Sequence, residues 1–234
     1  MKERRQRWWL VVVFAIAMAW VEAAVVLYLR TLVGRIDPYQ PRPLPEMPGL
    51  TSAEIIREGA TMIMLGSVGW LAGRRFRSSF GYLLIAFGIW DIFYYVFLKI
   101  LTGWPRGFSD WDILFLIPLP WWGPVIAPML VAMLMVLTGT LLTSERTTLQ
   151  PTRRSIAFAA LGVLLILGSF MYDALALCLN HATVEIIRNW LPHSFAWPLF
   201  LPGLLLASFP ALDLALRNLA RSGLHAPINE PTTL

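Results

Sequence analysis

The chain alternates long apolar stretches with short polar ones from end to end. A helix needs about 20 apolar residues to cross roughly 30 Å of hydrocarbon, and runs of that length recur along the whole sequence. The pattern predicts an all-α, polytopic membrane protein that forms a single transmembrane domain over residues 1–234. Six transmembrane helices are predicted, at about residues 8–29, 54–73, 80–101, 125–142, 156–179 and 198–219.

Two proline-rich segments interrupt this pattern. The stretch from Arg30 to Ser52 contains five prolines, which favour an extended polar loop outside the membrane. Pro118, Pro120 and Pro124 lie close together in an apolar stretch before the fourth predicted helix, where they remove backbone donors and exclude one regular helix. We therefore expect an interfacial or re-entrant segment there, with its backbone satisfied by protein or a wet cavity.

Composition agrees with a membrane protein and limits its partners. The chain is 57% hydrophobic and 14% charged, and its mean hydropathy is +0.63. Its net charge of +5 comes from arginines at the ends of the apolar runs, which membrane topology explains better than nucleic-acid binding. The predicted partners are the lipid bilayer and either further copies of the chain or the subunits of a membrane complex. No nucleic-acid partner is predicted.

The distribution of basic residues predicts the orientation. Lysine and arginine are more frequent at one end of the predicted helices than at the other. The richer end has Lys2, Arg4, Arg5, Arg7, Arg74, Arg75, Arg77, Arg146, Arg153, Arg154, Arg217 and Arg221, and the poorer end has Arg30, Arg35, Arg42, Arg57, Lys99, Arg106 and Arg188. Because basic residues accumulate on the cytoplasmic side, both termini are predicted to be cytoplasmic, in the inner (plasma) membrane.

Acidic residues inside the apolar segments are the main functional candidates. Glu22, Asp91 and Asp173 lie roughly 10, 15 and 9 Å below the outer ends of their predicted helices, at 1.5 Å per residue. Glu58 lies one turn into the second helix. These four carboxylates predict a pocket open to the outside. The supporting residues predicted for this pocket are Tyr94, Tyr95, Arg57, Lys99 and His181.

Several roles remain open for these carboxylates. Clustered carboxylates in a low dielectric cannot all stay ionised without compensation, so one should be protonated or a cation should be bound, which predicts a proton or cation site in a small transporter. Alternatively, each carboxylate pairs locally: Asp91 with Tyr94, Tyr95 or Lys99, and Glu22 with Arg30 or Arg57. A membrane enzyme acting on a lipid or quinone is a third hypothesis, and a cofactor-free subunit of a larger membrane redox complex is a fourth.

Other chemistry has little support in the sequence. Cys178 is the only cysteine, so the sequence predicts no iron–sulfur ligand set. The three histidines do not place a pair of haem ligands on two spans, so no haem ligand set is predicted either. No cofactor is identified and any metal ligand is unknown. Asp213 lies near the inner end of the sixth predicted helix, one turn before Arg217, and that spacing predicts a structural ion pair.

Overall fold

A computed structural model describes residues 2–41, 48–144 and 150–224. These residues form nine helices and two short strands. The elements are α1 (Lys2–Leu32), α2 (Pro48–Ala72), α3 (Phe76–Thr102), β1 (Trp111–Ile113), β2 (Trp122–Pro124), α4 (Ile126–Thr143), α5 (Arg153–Phe170), α6 (Tyr172–Leu179), α7 (Val184–Asn189), α8 (Trp197–Ala207) and α9 (Phe209–Leu224).

Five helical stretches in the described part of the chain are long and apolar enough to cross a membrane. They are Lys2–Leu32, Phe76–Thr102, Ile126–Thr143, Arg153–Phe170 and Trp197–Arg217. The predicted class, a mostly helical multi-pass membrane protein, is therefore consistent with the structure. Helix α2 is not among the five, because Glu54, Arg57 and Glu58 make its first turns polar. The count of six spans stays a prediction.

Helix α3 is the centre of the first half of the molecule, where it packs against α1, α2 and α4. The contact with α4 is close because small residues face each other. A Cβ added at Gly81 would lie 3.0 Å from the carbonyl oxygen of Gly139, and one at Gly88 would lie 2.5 Å from that of Ala132. Such small residues let membrane helices approach backbone to backbone.

The second half of the molecule is built on α5, which packs against α8 and α9. The last two helical segments differ from the continuous helices predicted at 156–179 and 198–219. The first is interrupted at Met171, between α5 and α6, where no proline accounts for the break. The second is interrupted at Ser208, where Pro210 has no backbone N–H to continue the hydrogen-bond ladder.

The proline-rich segment before α4 forms a β-hairpin. Trp111 pairs with Pro124, Asp112 with Gly123 and Ile113 with Trp122, in antiparallel register. Residues 114–121 connect the strands without helix, and α4 begins at Ile126. The chain thus leaves helical geometry where the prolines predict it. The position of this hairpin relative to the membrane interface stays a prediction.

The first proline-rich segment is described only in part. Helix α1 continues to Leu32, and residues 35–41 have no helix. Positions 42–47 of the predicted loop lie outside the described residues. Helix α2 begins at Pro48, earlier than the predicted start near position 54.

Candidate functional site

A cavity of about 1340 Å³ lies between the two halves of the molecule. Helices α2, α3 and α4 form one side of its wall, and α5 forms another. Acidic and basic side chains line one end, near the hairpin, while the remaining wall is mainly apolar. The charged residues at the hairpin end are Glu22, Arg30, Arg35, Glu54, Arg57, Glu58 and Asp91.

Arg57 links two carboxylates at this polar end. Its guanidinium donates to the Glu22 carboxylate from α1, and it also donates to Glu54, with Nε at 2.8 Å from Oε2. Thr61, one turn further along α2, donates its hydroxyl to Glu22 Oε2 at 3.4 Å. The Arg57 charge is therefore compensated within the protein, and Glu22 has both a cation and a hydroxyl as partners.

Glu58 joins α2 to the hairpin. Both of its carboxylate oxygens lie 3.0 Å from the backbone nitrogen of Leu116, which donates to them. Leu116 belongs to the turn between the strands, so this contact ties the proline-rich segment over the polar end of the cavity. Glu58 is 5% exposed and forms no salt bridge with any described residue.

Asp91 lines the cavity from the middle of α3 and is half-buried. The local partners predicted for it are not its partners in the structure. Tyr95 donates its hydroxyl to Asp112 instead, and Lys99 donates to backbone carbonyls beyond the end of α3. Within the described residues, Asp91 forms neither a salt bridge nor a hydrogen bond, so its carboxylate faces the cavity unpaired.

A buried network behind the polar end holds the hairpin to α1. Arg30 Nη2 donates to Asp112 Oδ1 at 2.8 Å, and Tyr95 donates to Asp112 Oδ2 at 3.2 Å. The guanidinium carbon of Arg30 lies 4.3 Å from the ring centroid of Trp104, within cation–π range. Burial raises the pKa of the Asp112 carboxyl, whereas the Arg30 guanidinium acts to lower it.

Aromatic side chains line the same end of the cavity. On α3, Trp90 and Tyr94 are stacked with ring centroids 6.2 Å apart, and Tyr94 packs edge-on against Tyr95 at 5.1 Å. The connection between the strands contributes Phe115 and Trp121, whose centroids lie 5.2 Å apart. All five rings are among the cavity's lining residues, so Asp91 faces a space bordered by aromatic rings.

Away from this end the cavity becomes mainly apolar and reaches the first turn of α3, where Arg77 lines it; Thr138 and Gln150 are further polar lining residues in this part. The distance along α3 from Asp91 to Phe76 is roughly 22 Å, at 1.5 Å per residue. The apolar wall includes Leu83, Leu84 and Phe87 from α3, Val131, Leu134 and Met135 from α4, and Ala159, Val163 and Leu167 from α5.

The cavity opens to the side of the bundle at α5. Val163 and Leu164 both line it, yet they are 47% and 66% exposed. We take this exposure to mark an opening of the cavity. Phe76, Phe80 and Ile156, which line the far end, are likewise 75%, 44% and 54% exposed. The opening is on the apolar middle of α5, which is one of the five candidate membrane spans.

The structure brings together some of the predicted site residues and not others. Glu22, Glu58, Asp91, Arg57, Tyr94 and Tyr95 all line the one cavity. Asp173, in the first turn of α6, does not line it, and neither does exposed His181, which follows α6 with φ 57°. Lys99 lies beyond it in the last turn of α3. The role of all these residues stays a prediction.

Two contributors were not predicted as members of the site. Asp112 appears in the sequence as one polar residue of a short turn, and only the fold buries it against Arg30, 82 positions away. The hairpin turn contributes its backbone at Leu116, which no side-chain pattern reveals. Near the opposite end of the bundle, Asp213 forms the predicted pair with Arg217, at 3.4 Å.

No metal centre emerges from this arrangement. Among residues 2–41, 48–144 and 150–224, no three His, Cys, Asp or Glu side chains form a group that could hold a metal ion. The chain matches no protein-family model, no curated protein and no solved structure. Its function is therefore inferred from the cavity itself.

Proposed function

We propose that this integral membrane protein binds an amphipathic molecule, with the polar head near Asp91 and the apolar tail along α3, α4 and α5. The observation that carries the proposal is the continuity of the cavity, which has most of its charged residues at the hairpin end and mainly apolar walls for roughly 22 Å beyond Asp91, as far as Arg77 at the start of α3. Ligand sites are typically concave and mainly apolar, with a few polar groups that fix orientation.

The side opening at Val163 and Leu164 supports the same proposal. A molecule dissolved in the bilayer could enter there without leaving the hydrocarbon, so its tail would not have to cross water. The mainly apolar walls below Asp91 favour such a ligand over a hydrated ion, since an ion in that part of the cavity would lose its water and gain few polar partners. A membrane enzyme acting on a lipid or quinone would use the same site.

Orientation and location belong to this proposal. The arginine distribution supports an inner (plasma) membrane protein with both termini in the cytoplasm and the hairpin end of the cavity towards the outside. On that orientation, the head group would be recognised in the outer half of the membrane and the tail would extend inward.

A variant that fills the apolar wall tests the proposal. Ala159 is half-buried and lines the cavity, whereas Ala157, two residues earlier on α5, is exposed and does not line it. Ala159→Trp should fill the cavity, and Ala157→Trp is the matched control with the same added volume. Because residues two apart point to different sides of a helix, only the first change reaches the cavity.

The assay uses purified protein in phosphatidylcholine nanodiscs with three probes of equal chain length: hexadecyltrimethylammonium, hexadecanol and hexadecanoate. Native mass spectrometry counts the probe molecules bound. We expect at least one probe to bind in a one-to-one complex to wild type and to Ala157→Trp, with at least about tenfold weaker binding to Ala159→Trp. Binding of every probe equally to all three proteins contradicts the proposal.

A second candidate function is the binding or translocation of a proton or cation, as in a small transporter. The observation in its favour is Asp91, which faces the cavity without a salt bridge or hydrogen bond to a described residue. Proton entry into proteoliposomes, followed by an internal pH-sensitive dye, should be faster with wild type than with Asp91→Asn. Equal rates remove this candidate.

The cofactor-free subunit of a membrane redox complex stays a prediction. Its test is copurification, since a subunit of such a complex should bring haem or flavin proteins with it when the membrane is solubilised in a mild detergent. The haem and flavin absorbance of the purified sample measures this directly.

A further inference from the structure

We infer that the polar head of the ligand is an organic ammonium group, so that the molecule bound is a lipophilic cation without an anionic group of its own. This inference rests on the proposed function, because it takes the cavity to be a binding site for an amphipathic molecule. It adds the charge and chemical class of the head group.

The first argument is the balance of charge at the polar end. The guanidinium of Arg57 is held by Glu22 and Glu54. That of Arg30 is held by Asp112, in a pair whose side chains are 8% and 1% exposed. Neither guanidinium is therefore left to attract an anionic head group.

The third arginine at this end, Arg35, keeps its positive charge, yet carboxylates still outnumber guanidiniums by five to three. The carboxylates are Glu22, Glu54, Glu58, Asp91 and Asp112, and the guanidiniums are Arg30, Arg35 and Arg57. Arg35 donates Nη2 to the backbone carbonyl of Gln40 at 3.0 Å. Glu58 and Asp91, in contrast, form no salt bridge with a described residue. A low-dielectric site with unpaired carboxylates favours a ligand that brings positive charge and disfavours one that brings negative charge.

The second argument is the chemistry of the walls around Asp91. Tyr94 lies about one turn after Asp91 on α3, on the same side of the helix. Trp90, Phe115 and Trp121 also line the cavity. Aromatic faces attract an ammonium group through cation–π interactions, and aromatic rings beside a carboxylate are a recurrent way of recognising quaternary ammonium ligands.

The alternatives fit these walls less well. A metal ion would need several ligands, and no metal-holding group exists among the described His, Cys, Asp and Glu side chains. A hydroxyl head could donate one hydrogen bond to Asp91, but it would gain neither the ion pair nor the attraction of the rings. A carboxylate or phosphate head would be repelled by Glu58 and Asp91.

The same three hexadecyl probes test the inference through the order of their affinities. In wild-type protein, hexadecyltrimethylammonium should bind at least about tenfold more tightly than hexadecanol, and hexadecanoate should bind most weakly. The cavity-filled Ala159→Trp protein supplies the background from probe dissolved in the nanodisc. Affinity is measured as the probe concentration that half-saturates the one-to-one complex in native mass spectra.

Two carboxylate variants localise the effect. Asp91→Asn keeps the side-chain shape, removes the charge and should reduce the preference for ammonium over alcohol by about tenfold. Asp173→Asn is the matched control, because it makes the same chemical change at a half-buried position that does not line the cavity. Its preference should equal that of wild type.

The possible outcomes separate the two proposals. If hexadecanol or hexadecanoate binds wild type as tightly as the ammonium probe, the inference about the head group fails and the cavity remains a binding site. If none of the probes binds wild type more tightly than Ala159→Trp, both proposals fail. If Asp91→Asn does not fold, the order of affinities in wild type still decides the inference.

Discussion

The substitution Asp112→Asn keeps the size of the side chain but leaves the buried guanidinium of Arg30 without a counterion. Arg30 and Asp112 are 8% and 1% exposed at their side chains, and their nearest N and O atoms lie 2.8 Å apart. Removing one member of such a buried pair typically costs about 3–5 kcal/mol, because the other charge stays desolvated and uncompensated. We expect the free energy of unfolding to fall by about that amount.

The assay is reversible unfolding in mixed micelles of a mild detergent and sodium dodecyl sulfate, followed by circular dichroism. Glu3→Gln is the control, because its pair with Arg74 is 69% exposed on both sides and should contribute less than about 1 kcal/mol. A double variant, Arg30→Met with Asp112→Leu, should recover most of the loss, since no buried charge remains. If Asp112→Asn loses no more stability than Glu3→Gln, the Arg30–Asp112 pair is not a buried ion pair that stabilises the fold, and this prediction is refuted.

Two further predictions concern packing and orientation. Gly139→Ala should lower the free energy of unfolding by about 1–3 kcal/mol, because its methyl group would collide with the carbonyl of Gly81. Gly168→Ala is the control and should leave the free energy of unfolding unchanged, because nothing lies within 4 Å of the added methyl group. Unfolding in mixed micelles measures both. In a protein without its natural cysteine, Gln40→Cys should react with an impermeant thiol reagent in intact cells and Gln6→Cys only after permeabilisation. The reverse pattern would invert the proposed orientation.

The membrane class could be predicted from the sequence because it depends on local properties. The length and apolarity of a run decide whether it can span hydrocarbon, and both are read from consecutive residues. The non-helical segment around Pro118 and Pro120 was predictable for the same reason, since proline restricts its own backbone wherever it occurs. The break at Ser208 was not predicted, although Pro210 two residues later offered a local signal for it.

The candidate site could be predicted only in part, because its members come from distant positions. The depth of Glu22 and Asp91 along their helices followed from the rise per residue, but the direction in which each carboxylate points depends on how the helices pack. Asp173 has a similar predicted depth and lies outside the cavity, because α6 begins at Tyr172 as a separate helix. The burial of Asp112 required the whole hairpin to fold against α1.

The Arg30–Asp112 pair also has a consequence for folding during synthesis, because Arg30 is made well before its counterion. The two residues are 82 positions apart, and at the usual rate of synthesis the second emerges several seconds after the first, on the order of 4–16 s. During that interval α1 has a charged guanidinium near its end and no partner for it. During this interval the long arginine side chain can extend to the lipid head groups, which keeps its charge out of the hydrocarbon. The helix can therefore enter the bilayer early and acquire its buried counterion only when the hairpin arrives.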